Sequence, residues 1–231
     1  MAHLAHYKEA HPLPFRITHW VNLCCIGLLI LTGFLIHFPF LPAFMGVARG
    51  LHVFCGIVLL ANCVVRIVLA FMINSAPTGG TRNMVKDYKT WLPQADNKHQ
   101  LISWIKYYTF IKKDHPLSAK LGVPQKLSYL GVGALIIIMA YTGFCLWIPT
   151  ASWPMFAGVT EGLGGMMSMR IIHYFLMFVF ICFTMLHVYL VLIEGAAPAK
   201  LMLAGKEHGG LVYNPDAHVI VGEDHSVDAE H

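Results

Sequence analysis

Apolar residues gather into four long runs along the chain, roughly 16–38, 50–73, 126–148 and 171–194, with polar stretches between them. A helix needs ~20 residues to cross the ~30 Å hydrocarbon layer of a bilayer, and each run is long enough. Inside lipid every backbone N–H and C=O must be satisfied within the segment, so the runs are predicted to be helices. The first is too long for the apolar stretch of a secretory signal and is read as a retained membrane helix. The expected fold is all-α: a single four-helix transmembrane bundle over 1–205, with a loop at 74–125. A polar tail rich in Gly, His and Asp follows at 206–231 and is expected to be extended or mobile. Within the loop, Leu101, Trp104, Ile105 and Tyr108 recur at helical spacing with lysines opposite, over 98–113. That pattern predicts either an interfacial amphipathic helix or a short helix packed on a partner protein.

Composition agrees: 12% of residues are charged, against about 25% in soluble domains. The charge is also unevenly placed. Arg82, Lys86, Lys89, Lys98, Lys106, Lys112, Lys113, Lys120 and Lys126 all fall between the second and third runs, nine of the sixteen basic residues. Such an excess marks the cytoplasmic side. Four crossings then put both termini in the cytoplasm of a bacterial inner membrane. The net charge of +4 reflects this loop. No basic stripe interleaved with aromatics points to nucleic acid, and membrane lipid is the expected surrounding. The six cysteines lie inside the apolar runs without a Cys-x-x-Cys or Cys-x-x-Cys-His pattern. They read as packing residues, which argues against covalent haem attachment and iron–sulfur ligation by this chain.

The histidines carry the chemistry. His173 and His187 are fourteen residues apart in one apolar run, almost four helical turns, so their imidazoles leave one face ~21 Å apart along the axis. His19 and His52 stand near the starts of two other runs. With the termini inside, His52 and His173 share an outer depth, and His19 and His187 an inner one. Intramembrane ionisable residues are rare and usually functional. Two bis-histidine b haems stacked across the membrane, an outer one on His52/His173 and an inner one on His19/His187, account for the matched depths. Zinc or copper would instead want its ligands to converge on one point.

Other residues fit that arrangement. Arg16, Arg49 and Arg170 each precede a histidine by three positions, one turn nearer the membrane surface, where a guanidinium can meet a propionate or a lipid headgroup. Arg66, fourteen residues after His52, is expected to meet an inner propionate or, by snorkelling, a lipid phosphate. Gly33 lies fourteen residues after His19, and Leu31-Thr32-Gly33-Phe34 is echoed by Tyr141-Thr142-Gly143-Phe144. Gly33 and Gly143 would let a porphyrin approach two backbones, or serve plain helix packing.

With these motifs the chain resembles the b-type cytochrome subunit of membrane-bound nickel–iron hydrogenases, and more distantly the gamma subunit of respiratory formate dehydrogenases. The resemblance rests on Arg16-Ile17-Thr18-His19-Trp20, Thr32-Gly33-Phe34, Arg49-Gly50-Leu51-His52, Arg66-Ile67, Thr142-Gly143-Phe144 and the stretch from His173 to Tyr189. It implies an electron-transfer and quinone-reducing subunit whose substrate catalysis sits on a partner chain. A hydrogenase or dehydrogenase iron–sulfur subunit, with its own membrane anchor helix, would dock on the outer face. Electrons would reach menaquinone or ubiquinone at the inner face, beside Gln125 and Lys126, although Pro124 departs from the related pattern. Gln125, Lys126 and Glu194 are the candidate proton donors. Rival readings are a free-standing di-haem cytochrome such as a superoxide oxidase, a histidine-lined metal permease, and a haem-independent anchor.

Overall fold

A computed structural model describes residues 4–94, 97, 99–114, 116, 119–217 and 219–227, with Glu194 described by its backbone only. In chain order the helices are α1 Leu13–His37, α2 Met45–Met72, α3 Tyr88–Trp91, α4 Leu101–Tyr108, α5 Val123–Leu146, α6 Ile148–Ala151, α7 Pro154–Gly162, α8 Met166–Glu194 and α9 Ala196–Ala204. Short strands β1 Asn74–Ser75, β2 Val85–Lys86, β3 Gly210–Asn214 and β4 Val219–Asp224 form two antiparallel pairs. By length and composition α1, α5 and most of α8 can span a bilayer, as can the stretch Pro42–Met72 that contains α2.

The helices start earlier than apolarity predicts. A membrane sets where the side chains must become apolar. Helical hydrogen bonding continues into the interface until proline or left-handed glycine interrupts it. α2 begins beside the turn Pro42–Phe44. α8 begins after Gly164 and Gly165, whose φ values are +94° and +90°. Arg49 and Arg170 therefore lie inside helical turns, not at helix edges. α5 opens with Pro124 in its first turn, where a missing N–H costs little. The Gln125 Oε1 accepts the Gly122 N–H at 2.7 Å, half of a capping box.

The chain forms two compact units. One comprises Thr18–Val65 and Gly131–Leu186. Here all four long helices contribute to a core of Cys25, Cys55, Leu59, Ile136 and Phe180. Cys145, Phe156 and Met169 form a second cluster. The thiols are free, and Cys25, Cys55 and Cys145 pack as small apolar groups. In lipid such a core is held by close packing more than by dehydration. Asn62 adds a polar tie, donating to the Thr18 carbonyl at 2.7 Å and to Asn22 Oδ1 at 2.6 Å.

The other unit comprises Met1–Ile17, Arg66–Leu130 and His187–His231. Backbone bonds knit its three segments. Ala5 N–H donates to the Leu211 carbonyl, and His6 and His208 exchange N–H···O=C bonds of 2.9 and 3.0 Å. Ala76 donates to the Glu9 carbonyl and Gly80 to that of Ala5. Described stretches near both termini and in the 74–125 loop thus belong to one unit. The tail is not extended: β3 and β4 pair from Gly210↔Asp224 to Asn214↔Val219. The Asn214 side chain accepts two N–H groups, from Asp216 and Ala217, a turn device. Tyr7 donates to Asp224 Oδ2 at 2.6 Å, and burial with that acceptor pushes its phenol up to about 12. In the loop, α4 is shorter than the 98–113 pattern, and Lys98 lies outside the described residues. Trp104 and Tyr107 are buried there while Ile102 and Ile105 are exposed, so α4 carries apolar side chains on two faces.

One carboxylate organises this unit. Asp87 is fully buried and accepts from Arg66 Nη2 at 2.6 Å, Lys120 Nζ at 2.9 Å, Ser75 Oγ at 2.5 Å and Trp91 Nε1 at 3.1 Å. The Arg66 guanidinium also lies 3.9 Å over the Phe15 ring, with Trp91 and Tyr129 nearby. Burial alone would raise the Asp87 carboxyl, but the Lys120 and Arg66 cations and the Ser75 hydroxyl hold it at about 2. Asp87→Ala leaves two cations without their counter-ion. It is expected to cost about 3–5 kcal/mol, read as a lowered thermal midpoint in detergent. A folded value near 2, below the ordinary ~3.9, means this stabilisation is present at neutral pH. It should fade as pH falls from about 4 through about 2, a loss that the Asp87→Asn protein should not show.

Candidate haem site

His52 on α2 and His173 on α8 face each other with ring centroids 6.3 Å apart and planes at 66°. Each is held the same way. Thr32 Oγ1 lies 2.8 Å from His52 Nδ1, and Thr142 Oγ1 lies 2.8 Å from His173 Nδ1. The glycine that follows each threonine lies against the same ring. A Cβ on Gly33 would stand 3.5 Å from His52 Cε1 and 3.4 Å from Met177 Sδ. One on Gly143 would stand 3.5 Å from His173 Cε1. The two threonines are buried and the two imidazoles half-buried.

This geometry suits a metal held axially by two imidazoles. Metal–nitrogen bonds of about 2.0–2.1 Å on each side would put the ring centroids roughly 6 Å apart, close to the separation here. Among the described residues no group of three or more His, Cys, Asp or Glu could hold a metal ion. A two-histidine site therefore needs its remaining ligands from a cofactor, as a porphyrin supplies them. The donor set and the glycine cradle fit haem b.

The other predicted residues fall as follows. His19 is on α1, half-buried, its ring edge-on to Trp20 at 5.4 Å. His187 is on α8 and exposed. Arg49 and Arg170 are exposed on their helices. Arg16 departs from the propionate expectation: its Nε and Nη2 donate to the carbonyls of Met202 and Leu203. A cation there meets the negative end of α9. Arg66 likewise has a protein partner, Asp87, in place of a propionate as its main contact. Its Nη1 is nevertheless buried without a hydrogen-bond acceptor among the described residues. Lys126 is buried and donates to the Leu92 carbonyl at 2.6 Å and to Gln94 Oε1 at 2.9 Å. With Gln125 capping its own helix, both residues have structural work at the start of α5. The side chain of Glu194 is outside the described set.

Sequence reasoning assigned the two Thr-Gly-Phe pieces through their glycines and missed the threonines, although the repeat was the available signal. It also missed His37, stacked 3.9 Å from Tyr174 with planes 8° apart, beside His173. Nothing in the local sequence pairs them.

Comparison with known proteins bears on this site. A family model described as prokaryotic cytochrome b561 matches residues 10–205. A probable Ni/Fe-hydrogenase B-type cytochrome subunit from Rhizobium leguminosarum bv. viciae is 28% identical over 203 residues, spanning 78% of this chain and 79% of that protein.

The cradle leads to a substitution series. A Cβ at 3.5 Å is ordinary contact, so Gly143→Ala should keep the site. Gly143→Leu must push His173 aside, an overpacking worth about 1–3 kcal/mol. It should remove one haem's share of the reduced-minus-oxidised absorbance in the purified protein.

Proposed function

The chain belongs to the prokaryotic cytochrome b561 family, and from that premise we propose that it is the membrane subunit passing electrons from a periplasmic nickel–iron hydrogenase to quinone. It is a membrane b-type cytochrome of hydrogenase type. In this proposal it holds two b haems, the outer on His52 and His173, the inner on His19 and His187. The name of the Rhizobium relative supports hydrogenase as the partner, whose iron–sulfur subunit would supply electrons at the outer face. The basic loop, in one unit with the described stretches near both termini, supports a cytoplasmic placement for that surface. The observation that carries the reading is the facing His52–His173 pair at 6.3 Å.

Haem b, when bound, supplies a reversible one-electron site. The chain's residues do the rest. The four imidazoles would hold the two haem irons, and the apolar helices exclude water and lower the local dielectric. Arg49 and Arg170 would pair with carboxylates of the outer haem. The spare Nη1 donor of Arg66 is the proposed contact to an inner propionate, with Asp87 fixing the guanidinium from its other side. Arg16 acts through the fold, tying α1 to α9. Quinone reduction takes up a proton with each electron. Lys126 Nζ, at the start of α5 beside Gln125, is the proposed donor, refilled from the cytoplasm.

Pyridine haemochrome analysis of fully loaded protein should give two haems per chain. His52→Ala or His173→Ala should remove one and leave the other. His19→Ala or His187→Ala should remove the second. Fewer than two in the parent, or loss of both from any single change, defeats the di-haem assignment.

A further inference from the structure

We propose that Thr32 and Thr142 are positioning residues that fix His52 and His173 in the Nδ1–H tautomer, and so set ring orientation and redox potential at the outer haem. The inference rests on the haem ligation proposed above and adds what governs it.

A threonine hydroxyl has one hydrogen to donate. The Thr32 hydroxyl donates it to the Leu28 carbonyl at 2.6 Å. The Thr142 hydroxyl donates it to the Met139 carbonyl at 3.0 Å. These are intrahelical back-bonds that a β-branched side chain with few rotamers makes readily. With the hydrogen committed, Oγ1 faces the imidazole as an acceptor only. At 2.8 Å from Oγ1, each Nδ1 must then carry its ring proton. Nε2 is left with the lone pair, as axial ligation of iron requires.

The glycines complete the device. Gly33 and Gly143 place no side chain against the ring; a Cβ at either would stand 3.5 Å from Cε1, so only a larger side chain would displace it. The ring is thus hydrogen-bonded at one edge and left unobstructed near another. The same dipeptide does this twice, in α1 for a histidine on α2 and in α5 for a histidine on α8. The acceptor is a neutral hydroxyl. It orients the ring and mildly strengthens Nε2 as a donor without giving the imidazole the anionic character that a carboxylate partner would. A hydrogen-bond partner on the far nitrogen of a metal-binding imidazole typically alters metal affinity by about 10–100-fold.

Thr32→Val and Thr142→Val remove the acceptor and keep much of the shape. With the hydroxyl acceptor gone, Nδ1–H loses its side-chain partner and the imidazole donates less to iron. The midpoint potential of the outer haem should rise, its low-spin EPR signal should broaden as ring orientations multiply, and its retention on dilution should fall by about 10–100-fold. The inner haem, in the same molecule, should keep its potential and report that the bundle is folded. Thr→Ser at each position restores the hydroxyl and should restore both signals, which a merely structural threonine would not achieve. Two haems in the parent, with an outer potential and EPR signal unmoved by valine, overturn this inference and leave the di-haem function standing. A parent lacking the outer haem overturns both.

Discussion

An imidazole placed among acyl chains has two ring nitrogens, and neither finds water. One can take a metal; the other must find a protein partner, or its desolvation goes uncompensated. This constraint shapes the unit that holds His52 and His173. His52 and His173 meet it with the hydroxyls of Thr32 and Thr142, which meet their own need through helix carbonyls. Asn62 follows the same rule, closing on the Thr18 carbonyl and Asn22. Polar groups in these spans come in small closed sets, each anchored on backbone that the helix already holds rigid.

Charge obeys a stricter version in the unit that contains both termini. Arg66 and Lys120 share the buried Asp87, with Ser75 and Trp91 completing the carboxylate's hydrogen bonds. Such a cluster stabilises little against an apolar equivalent, but it is costly to break, and its geometry admits few alternatives. Here it fixes α2 to the loop that follows, while backbone bonds fix both termini to the same loop. A surface built from three distant stretches of sequence is thereby held firm, which a site for quinone beside Gln125 and Lys126 would require.

Much of this was legible in the sequence. Run length announced the four spans, because hydrocarbon thickness imposes it regardless of context. The fourteen-residue spacing of His173 and His187 pointed to the ligation proposed here, because helical periodicity is local. What escaped was non-local. The Arg66–Asp87 contact joins residues 21 positions apart through a loop whose path no periodicity encodes. Arg16 meets carbonyls more than 180 positions away. The hairpin β3–β4 arises in a segment whose composition suggested a mobile tail, and its pairing with Leu4 and His6 depends on tertiary approach. Thr32 and Thr142 were visible as a repeat. Their role followed only once each hydroxyl was found between a carbonyl and a ring.

The repeat also explains how one bundle can prepare a shared ligand site. α1 and α2 form a helical pair in which Thr32-Gly33 holds His52. α5 and α8 form another in which Thr142-Gly143 holds His173. Each pair supplies the hydroxyl that orients its own imidazole, so each ring would be set before any cofactor arrives. Iron bound by both rings would then join the two pairs, and its binding free energy would count directly toward their association. Among the described residues the pairs meet in a core of Cys25, Cys55, Leu59, Ile136 and Phe180, with partly buried neighbours such as Leu29 and Met139, and lipid adds no hydrophobic drive to it. Assembly and cofactor loading are on this view a single equilibrium, with the two threonines acting on it before iron is present.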